Sequence, residues 1–440
     1  MSERLADHVV GLRFEQLPDA VVERTKDLLV HQLALAFAGR ATDEGQRAVA
    51  LAYELSAEAG ASTVVGHAPK ATLLDAIYAH SVLSSGQLDD FQFPSGLHLG
   101  RSCHPVAWVL GERERSSGRE LIAAVVAGYD AACTLALPEL IRSYTRRPQN
   151  AFASFASTAI AVRLLGHDRE DAARAIAHSA HLAIGIVEGQ EGPTNSALVA
   201  RDAVMAALIA RADGEIPPTI EGSHGLYMAF FGYVPDGLEP NLASLGKDFS
   251  ILGASRKEYP SSASHFTALD RALDLLQRTG LRAAAVSRLV ATLAEDFRGR
   301  FGYMEAGVEK PEPSDEEILR SLRVKLAILL VDGAIEPLPT RARFREPAVQ
   351  AVLPAVSLSF EPRRPLDFAR IEITTTDGRT FSTAGGFAPY PKGDWSAMLR
   401  KDGERFLSEP RLARLERLLT RLEEVVDVGE VLAATVPDRL

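Results

Sequence analysis

Residues Glu120 to Leu137 read ELIAAVVAGYDAACTLAL. Alanine and valine dominate, and polar side chains interrupt at only a few points. Such a composition favours helix by intrinsic propensity. A helix that is apolar nearly all round must be enclosed, so this one belongs in the middle of a helical bundle. The neighbours on either side agree. Phe152 to Leu165 is rich in small residues and ends at Gly166, a C-cap signal. Arg169 to Leu182 and Ala197 to Ala212 follow, the latter stopping at Gly214. Toward the N-terminus, Val21 to Phe37 places Val21, Leu28, Leu29, Leu33, Leu35 and Ala36 at helical spacing. Residues 1 to about 230 therefore read as consecutive helices.

The pattern changes after about residue 270. Ser287 to Leu293 is a strand candidate, and Val356 to Phe360 is short and β-prone. Phe368 to Thr376 alternates, with Ile371 and Ile373 on one face, and runs into Asp377-Gly378. Thr380 to Ala384 resumes beyond it, which is a hairpin signal. Helical sequence returns from Trp395 to Ala434. The expected fold is mainly α with an α+β second domain. A large all-helical domain is formed by both chain ends, 1–268 and 395–440, and a smaller α+β domain by 269–394. No internal repeat at a solenoid period is present.

Bulk properties exclude several classes. The chain has 440 residues, 46% apolar and 24% charged, which describes an ordinary protein with a sizeable core. A net charge of −10 without a long basic run disfavours nucleic acid as a partner. Two cysteines, Cys103 and Cys133, are too few for a disulfide framework or a zinc ribbon. The start, MSERLADHVVGLRFEQL, lacks the basic and apolar regions of a signal peptide. The longest apolar runs, such as Ala151 to Leu165, are broken by Ser, Thr and Arg, so no membrane span is expected. A cytoplasmic setting is the default expectation.

Chemistry concentrates in Gln87 to Pro105, QLDDFQFPSGLHLGRSCHP. Asp89 and Asp90 are adjacent. His98, Arg101 and His104 follow among turn residues. Acids and histidines in one irregular segment suit proton transfer, because a rigid scaffold can aim loop side chains at a substrate. The alternative for such a segment is a solvated polar loop.

Four pieces of sequence now align in order. LDDFQFPSGLHLGRSCHPVAWVLGE carries His98-Leu99-Gly100 behind the acid pair. Ser117-Gly118-Arg119-Glu120-Leu121 leads through to Gly128-Tyr129-Asp130. Leu164-Leu165-Gly166-His167 comes next. Lys257-Glu258-Tyr259-Pro260 stands before His265, Ala268, Asp270 and Ala272. In this order the chain resembles the MmgE/PrpD family, the group of 2-methylcitrate dehydratase, cis-aconitate decarboxylase and iminodisuccinate epimerase. The resemblance covers nearly the whole chain. It implies the two-domain fold above, an active site in the cleft between the domains, a homodimer, no metal and no organic cofactor.

The resemblance also implies chemistry beside a carboxylate. A base removes a proton, an acid protonates the leaving group, and cations hold the developing charge. The candidate catalytic groups are His98, Lys257, His265 and Asp90. His98 suits acid or base work. Lys257 suits carboxylate binding or, if buried, proton transfer. His265 suits either task, and Asp90 orients a histidine or accepts a proton. The candidate substrate-binding residues are Arg101, Arg147, Gln87 and Tyr259.

Several positions depart from the family pattern. Gln87 stands where the family has an aspartate, and Phe91 where it often has a threonine. Arg147 takes the place of a histidine; it can clamp an anion but cannot act as a base. No lysine lies near Gly192 to Asn195, and Val324 replaces a tyrosine. The expected function is a cofactor-independent lyase of dehydratase type, on a small or medium carboxylate changed from the family norm. An isomerase or epimerase, and a non-catalytic dimeric homologue acting as a binding or partner protein, are the alternatives.

Other motifs carry less. Cys103-His104 reads as a buried small residue beside a histidine rather than a nucleophile pair. His178 and His181 share a helical face but lack further ligands at matching spacing, so no metal site is expected. Nucleotide-binding glycine motifs are absent.

Overall fold

The computed structural model describes residues 1–57, 60–86, 88–137, 140, 149–182, 193–212, 214–261, 263–298, 313–336 and 339–438. The chain divides into two compact units, residues 1–256 with 389–440, and residues 257–388.

The first unit is helical. Its centre is the Gly118–Leu135 helix, buried along its whole length from Leu121 to Ala132. Ser117 caps it: its hydroxyl accepts from the Glu120 backbone N–H at 3.3 Å, while the Glu120 carboxylate accepts from the Ser117 N–H at 2.7 Å. Gly128 lets the Gln149–Leu164 helix approach closely, since a Cβ there would lie 2.8 Å from Ile160 and 2.9 Å from the Ala156 oxygen. The Arg169–Ser179 helix starts on Asp168, whose carboxylate accepts from the Glu170 and Asp171 N–H groups. A short 3₁₀ turn, Ala180–Leu182, continues it. The Pro193–Ile209 helix likewise passes into 3₁₀ at Ala210–Ala212.

The chain's C-terminal helices pack into this unit. Asp27, on the Asp19–Gly39 helix, accepts from Trp395 Nε1 at 2.8 Å, from the Gly393 N–H at 2.9 Å and from Arg256 at 2.7 Å. Three donors satisfy a carboxylate that is otherwise wholly buried. Lys26 beside it reaches Glu423 at 2.8 Å and the Thr420 oxygen at 2.8 Å. The Gly118 backbone comes so close to Leu422 that a Cβ there would overlap the Leu422 oxygen.

The second unit is α+β. Its sheet runs Val356–Glu361, Val286–Ala294, Ala369–Thr375, Thr380–Gly385. The first pair is parallel and the other two antiparallel, with Leu289 opposite Ile373 and Ile373 opposite Phe381. Ala369–Thr375 alternates buried and half-buried residues along its length, the expected signature of a strand with one covered face. The hairpin turn at Asp377-Gly378 forms as expected, with Gly378 at φ +87°. The Ala263–Thr279 and Leu322–Asp332 helices belong to the same unit.

The fold is thus mainly α with an α+β module. One local expectation is corrected. The segment from Gln87 to Pro105 is not irregular throughout, because a helix, Gly100–Glu114, begins at its second glycine. Pro105 sits inside that helix and cannot donate to the Arg101 oxygen four residues back. The Ser81 hydroxyl donates to that oxygen instead, at 2.6 Å. A side chain on the Leu73–Leu83 helix therefore repairs the bond that proline removes.

Candidate active site

The acidic segment is buried rather than solvated. Asp89 is 3% exposed and Asp90 is fully buried. Phe91 and Gln92 form a two-residue strand paired antiparallel with Ala254 and Ser255. Gln92 donates to the Ser250 oxygen at 3.0 Å, and Ser95 closes the turn back onto Gln92. His31 hydrogen-bonds the Leu88 oxygen at 2.7 Å, holding the chain just ahead of the acid pair.

The two aspartates have different tasks. Asp90 turns its carboxylate into the helical core. One oxygen accepts from the Tyr129 hydroxyl at 2.6 Å, the other from the Gly100 N–H at 2.8 Å. Burial nevertheless raises its carboxyl to about 6, the Tyr129 bond acting in the opposite sense. His104 lies 3.4 Å beyond the Tyr129 hydroxyl, and burial pushes its imidazole down to about 3, so it is neutral at any ordinary pH. Asp89 faces the other way. Its Oδ2 lies 3.4 Å from His98 Nδ1 and 3.4 Å from Arg101.

His98 is fixed by backbone. Its Nδ1 lies 2.6 Å from the Asp90 carbonyl oxygen. A carbonyl only accepts, so Nδ1 carries a proton. In the neutral ring the basic lone pair then falls on Nε2. The His98 side chain is 15% exposed, whereas Asp89, Asp90 and Arg101 are almost wholly covered. A partly accessible imidazole of fixed tautomer, backed by a carboxylate and an arginine, can exchange a proton with a small anionic molecule.

The second unit carries a separate cluster. Lys257 is 9% exposed and Tyr259 is 7% exposed. The Tyr259 hydroxyl donates to Asp270 at 3.3 Å and its ring packs on Phe266. His265 is fully buried, and its Nδ1 lies 3.1 Å from the Ser261 hydroxyl. Burial, with Lys325 nearby, holds this imidazole well below its usual range. Lys325, which sequence reasoning passed over, donates to the Pro260 oxygen at 2.9 Å and to the Ser261 hydroxyl at 3.0 Å.

The structure brings His98 and Arg101 together around Asp89. It brings His265 to Ser261 and Lys325. Gln87 and Arg147 lie outside the described residues. Cys103 is fully buried and its thiol is pushed well above its usual value, so it is no thiolate nucleophile. Among the described residues no group of three or more His, Cys, Asp or Glu side chains is arranged to hold a metal, the His178 and His181 pair included. Among them, too, no helix is long and apolar enough to cross a membrane. Asp89 stood out in sequence as one of the acid pair but was given no role, and Tyr129, Ser261 and Lys325 were not foreseen. Of the last three only Tyr129 had a signal, standing inside the Gly128-Tyr129-Asp130 motif.

Residues 3–238, more than half of the chain, match the MmgE/PrpD N-terminal domain family. The chain belongs to the MmgE/PrpD family. Two distant relatives extend the likeness to the whole length. The cis-aconitate decarboxylase-like protein oryM of Aspergillus oryzae is 23% identical over 475 aligned positions, covering 98% of this chain and 96% of the relative. The cis-aconitate decarboxylase of Homo sapiens is 22% identical over 460 positions, covering 97% of this chain and 92% of the relative. The MmgE/PrpD relationship and these lyase-type relatives fit an enzyme scaffold.

Proposed function

We propose that this MmgE/PrpD protein is a cofactor-independent lyase of dehydratase type acting on a small or medium carboxylate. The observation that carries the proposal is the fixed His98 ring: Nδ1 bonded to the Asp90 oxygen, with Asp89 and Arg101 beside it. His98 Nε2 takes a proton from the carbon next to a substrate carboxylate. The negative charge passes into that carboxylate, where cationic side chains stabilise it. The neighbouring hydroxyl then leaves with a proton as water, giving an unsaturated acid. In the same proposal Lys257 binds a substrate carboxylate, Tyr259 lines the site, and His265 returns or relays a proton. The neutral state of His265 suits relay better than charge. The protein is further expected to be a cytoplasmic homodimer.

The parent substrates are disfavoured by Phe91 and Val324, which supply neither hydroxyl where the family pattern has one. A panel of hydroxy-carboxylates, with cis-aconitate included, incubated with the protein after chelator treatment tests the assignment by NMR. Appearance of an unsaturated acid is the expected result. Exchange or epimerisation without water loss moves the assignment to an isomerase. Neither outcome with any member of the panel leaves a binding homologue.

A further inference from the structure

Lys325 is a buried amine with no counter-charge among the described residues. It sits on the Leu322–Asp332 helix, 4% exposed, where the sequence Leu322-Arg323-Val324-Lys325-Leu326 is otherwise buried or half-buried. Among the described residues it donates to two neutral acceptors, the Pro260 oxygen and the Ser261 hydroxyl. Ser261 in turn meets His265 Nδ1, and His265 Nε2 has no hydrogen-bond partner among the described residues although it is fully buried. An orphaned polar atom in such a place calls for a ligand or water.

The surrounding charges sharpen the point. Lys257 adds like-charge repulsion to Lys325, and His265 is neutral. On the Ala263–Thr279 helix, Asp270 is engaged by the Tyr259 hydroxyl. On its own helix, Arg323 donates to the Val356 oxygen and Asp332 pairs with Arg343. Among the described residues no carboxylate contributes to the electrostatics of Lys325, and burial with Lys257 brings its ammonium from 10.5 down to about 7. An amine held like this is half-charged near neutrality. An arriving anion would restore its charge.

We infer that Lys325, Ser261 and His265 form a carboxylate-binding site in the second unit that takes up a proton when it is filled. The proton comes from solvent and ends on Lys325 Nζ. The carboxylate oxygen accepts from that ammonium, and His265 Nε2 gains a partner through the ligand or its bound water. The inference rests on the carboxylate assignment above but not on His98 being the base. It gives the site a selectivity device: a neutral molecule of the same shape cannot recharge the lysine, so only an acid is held.

The test is titration calorimetry of the full chain with tricarballylate and with succinate, in two buffers of different ionisation heat. The difference between buffers reads the protons taken up. About half a proton at pH 7, close to one at pH 8.5 and almost none at pH 5.5 is expected, because the amine is already charged in acid. Lys325→Arg, which cannot lose its proton, should bind with no uptake at any of these pH values. Lys325→Met, matched in length and uncharged, should lose binding roughly 10-fold or more. Binding without uptake in the wild-type protein, uptake unchanged in Lys325→Arg, or no binding of either acid at roughly 10 mM each overturns the inference. Uptake in a protein that releases no unsaturated acid leaves the inference standing and removes the lyase assignment. Turnover without uptake does the reverse.

Discussion

His98 Nδ1 and the backbone oxygen of Asp90 lie 2.6 Å apart, so main chain eight residues away holds the ring. The Asp90 carboxylate fixes that main chain. It is tied to Tyr129 on one side and to Gly100, the first residue of the next helix, on the other. A side chain in the core thereby positions a partly accessible ring through the main chain.

Tyr129→Phe removes the 2.6 Å donor from a buried carboxylate. A charged acceptor stripped of such a partner costs about 1.5–3 kcal/mol. The Asp90 carboxyl, already raised to about 6, rises further. Below that value it is protonated and the loss is small; above it the charge has lost its hydroxyl donor and keeps the Gly100 N–H. Thermal unfolding should show a larger loss for the variant at pH 8 than at pH 5. Equal losses at both would mean that Asp90 is not charged in the folded protein.

Gly100→Ala tests the cradle behind His98. A Cβ there would lie 2.2 Å from the Gln32 side-chain amide and 2.8 Å from Asp90 Oδ1. Both side chains are buried and cannot swing away. The overlap should cost about 1–3 kcal/mol by chemical denaturation. Turnover should fall as well, because Asp90 and with it the His98 ring must move. A variant of wild-type stability and activity would show that the close approach is not needed.

Lys325→Met should change how stability depends on pH. In the folded chain the amine titrates near 7, against 10.5 in the absence of burial. The native state therefore binds fewer protons than the unfolded state between those values. The cost of keeping the lysine is complete below pH 7 and disappears as pH rises toward 10.5. Unfolding free energies from urea titration should rank Lys325→Met above wild type at pH 6 by on the order of a few kcal/mol, and the gap should close by pH 10. A constant gap would contradict a titrating lysine.

Much of the fold was legible because its signals are local. The Glu120–Leu137 run had to be a central helix, since nothing else buries so many alanines and valines. The Asp377-Gly378 turn between alternating residues had to be a hairpin. The site was legible in part. His98 and Arg101 stand in a motif-bearing segment, and both are found around Asp89. The burial of Asp89 and Asp90 was not legible, because what stabilises Asp90 there is the hydroxyl of Tyr129, thirty-nine residues away. The helix at Gly100 was obscured by Pro105, whose missing bond is made good by Ser81. Lys325 carried no signal in the sequence, because its partners lie more than sixty residues away. Only the meeting of Pro260 and Ser261 with that helix gives it a role.

The central claim is that His98 removes a proton from carbon beside a carboxylate. Its most direct test is deuterium incorporation from D₂O into the carboxylate that the protein binds, followed by mass spectrometry for wild type and for His98→Gln. Wild type should label the carbon next to the carboxylate. His98→Gln should do so about 10²–10⁴-fold more slowly, with thermal unfolding unchanged. Labelling at an equal rate in both proteins, or none in wild type with a bound carboxylate, would contradict the account.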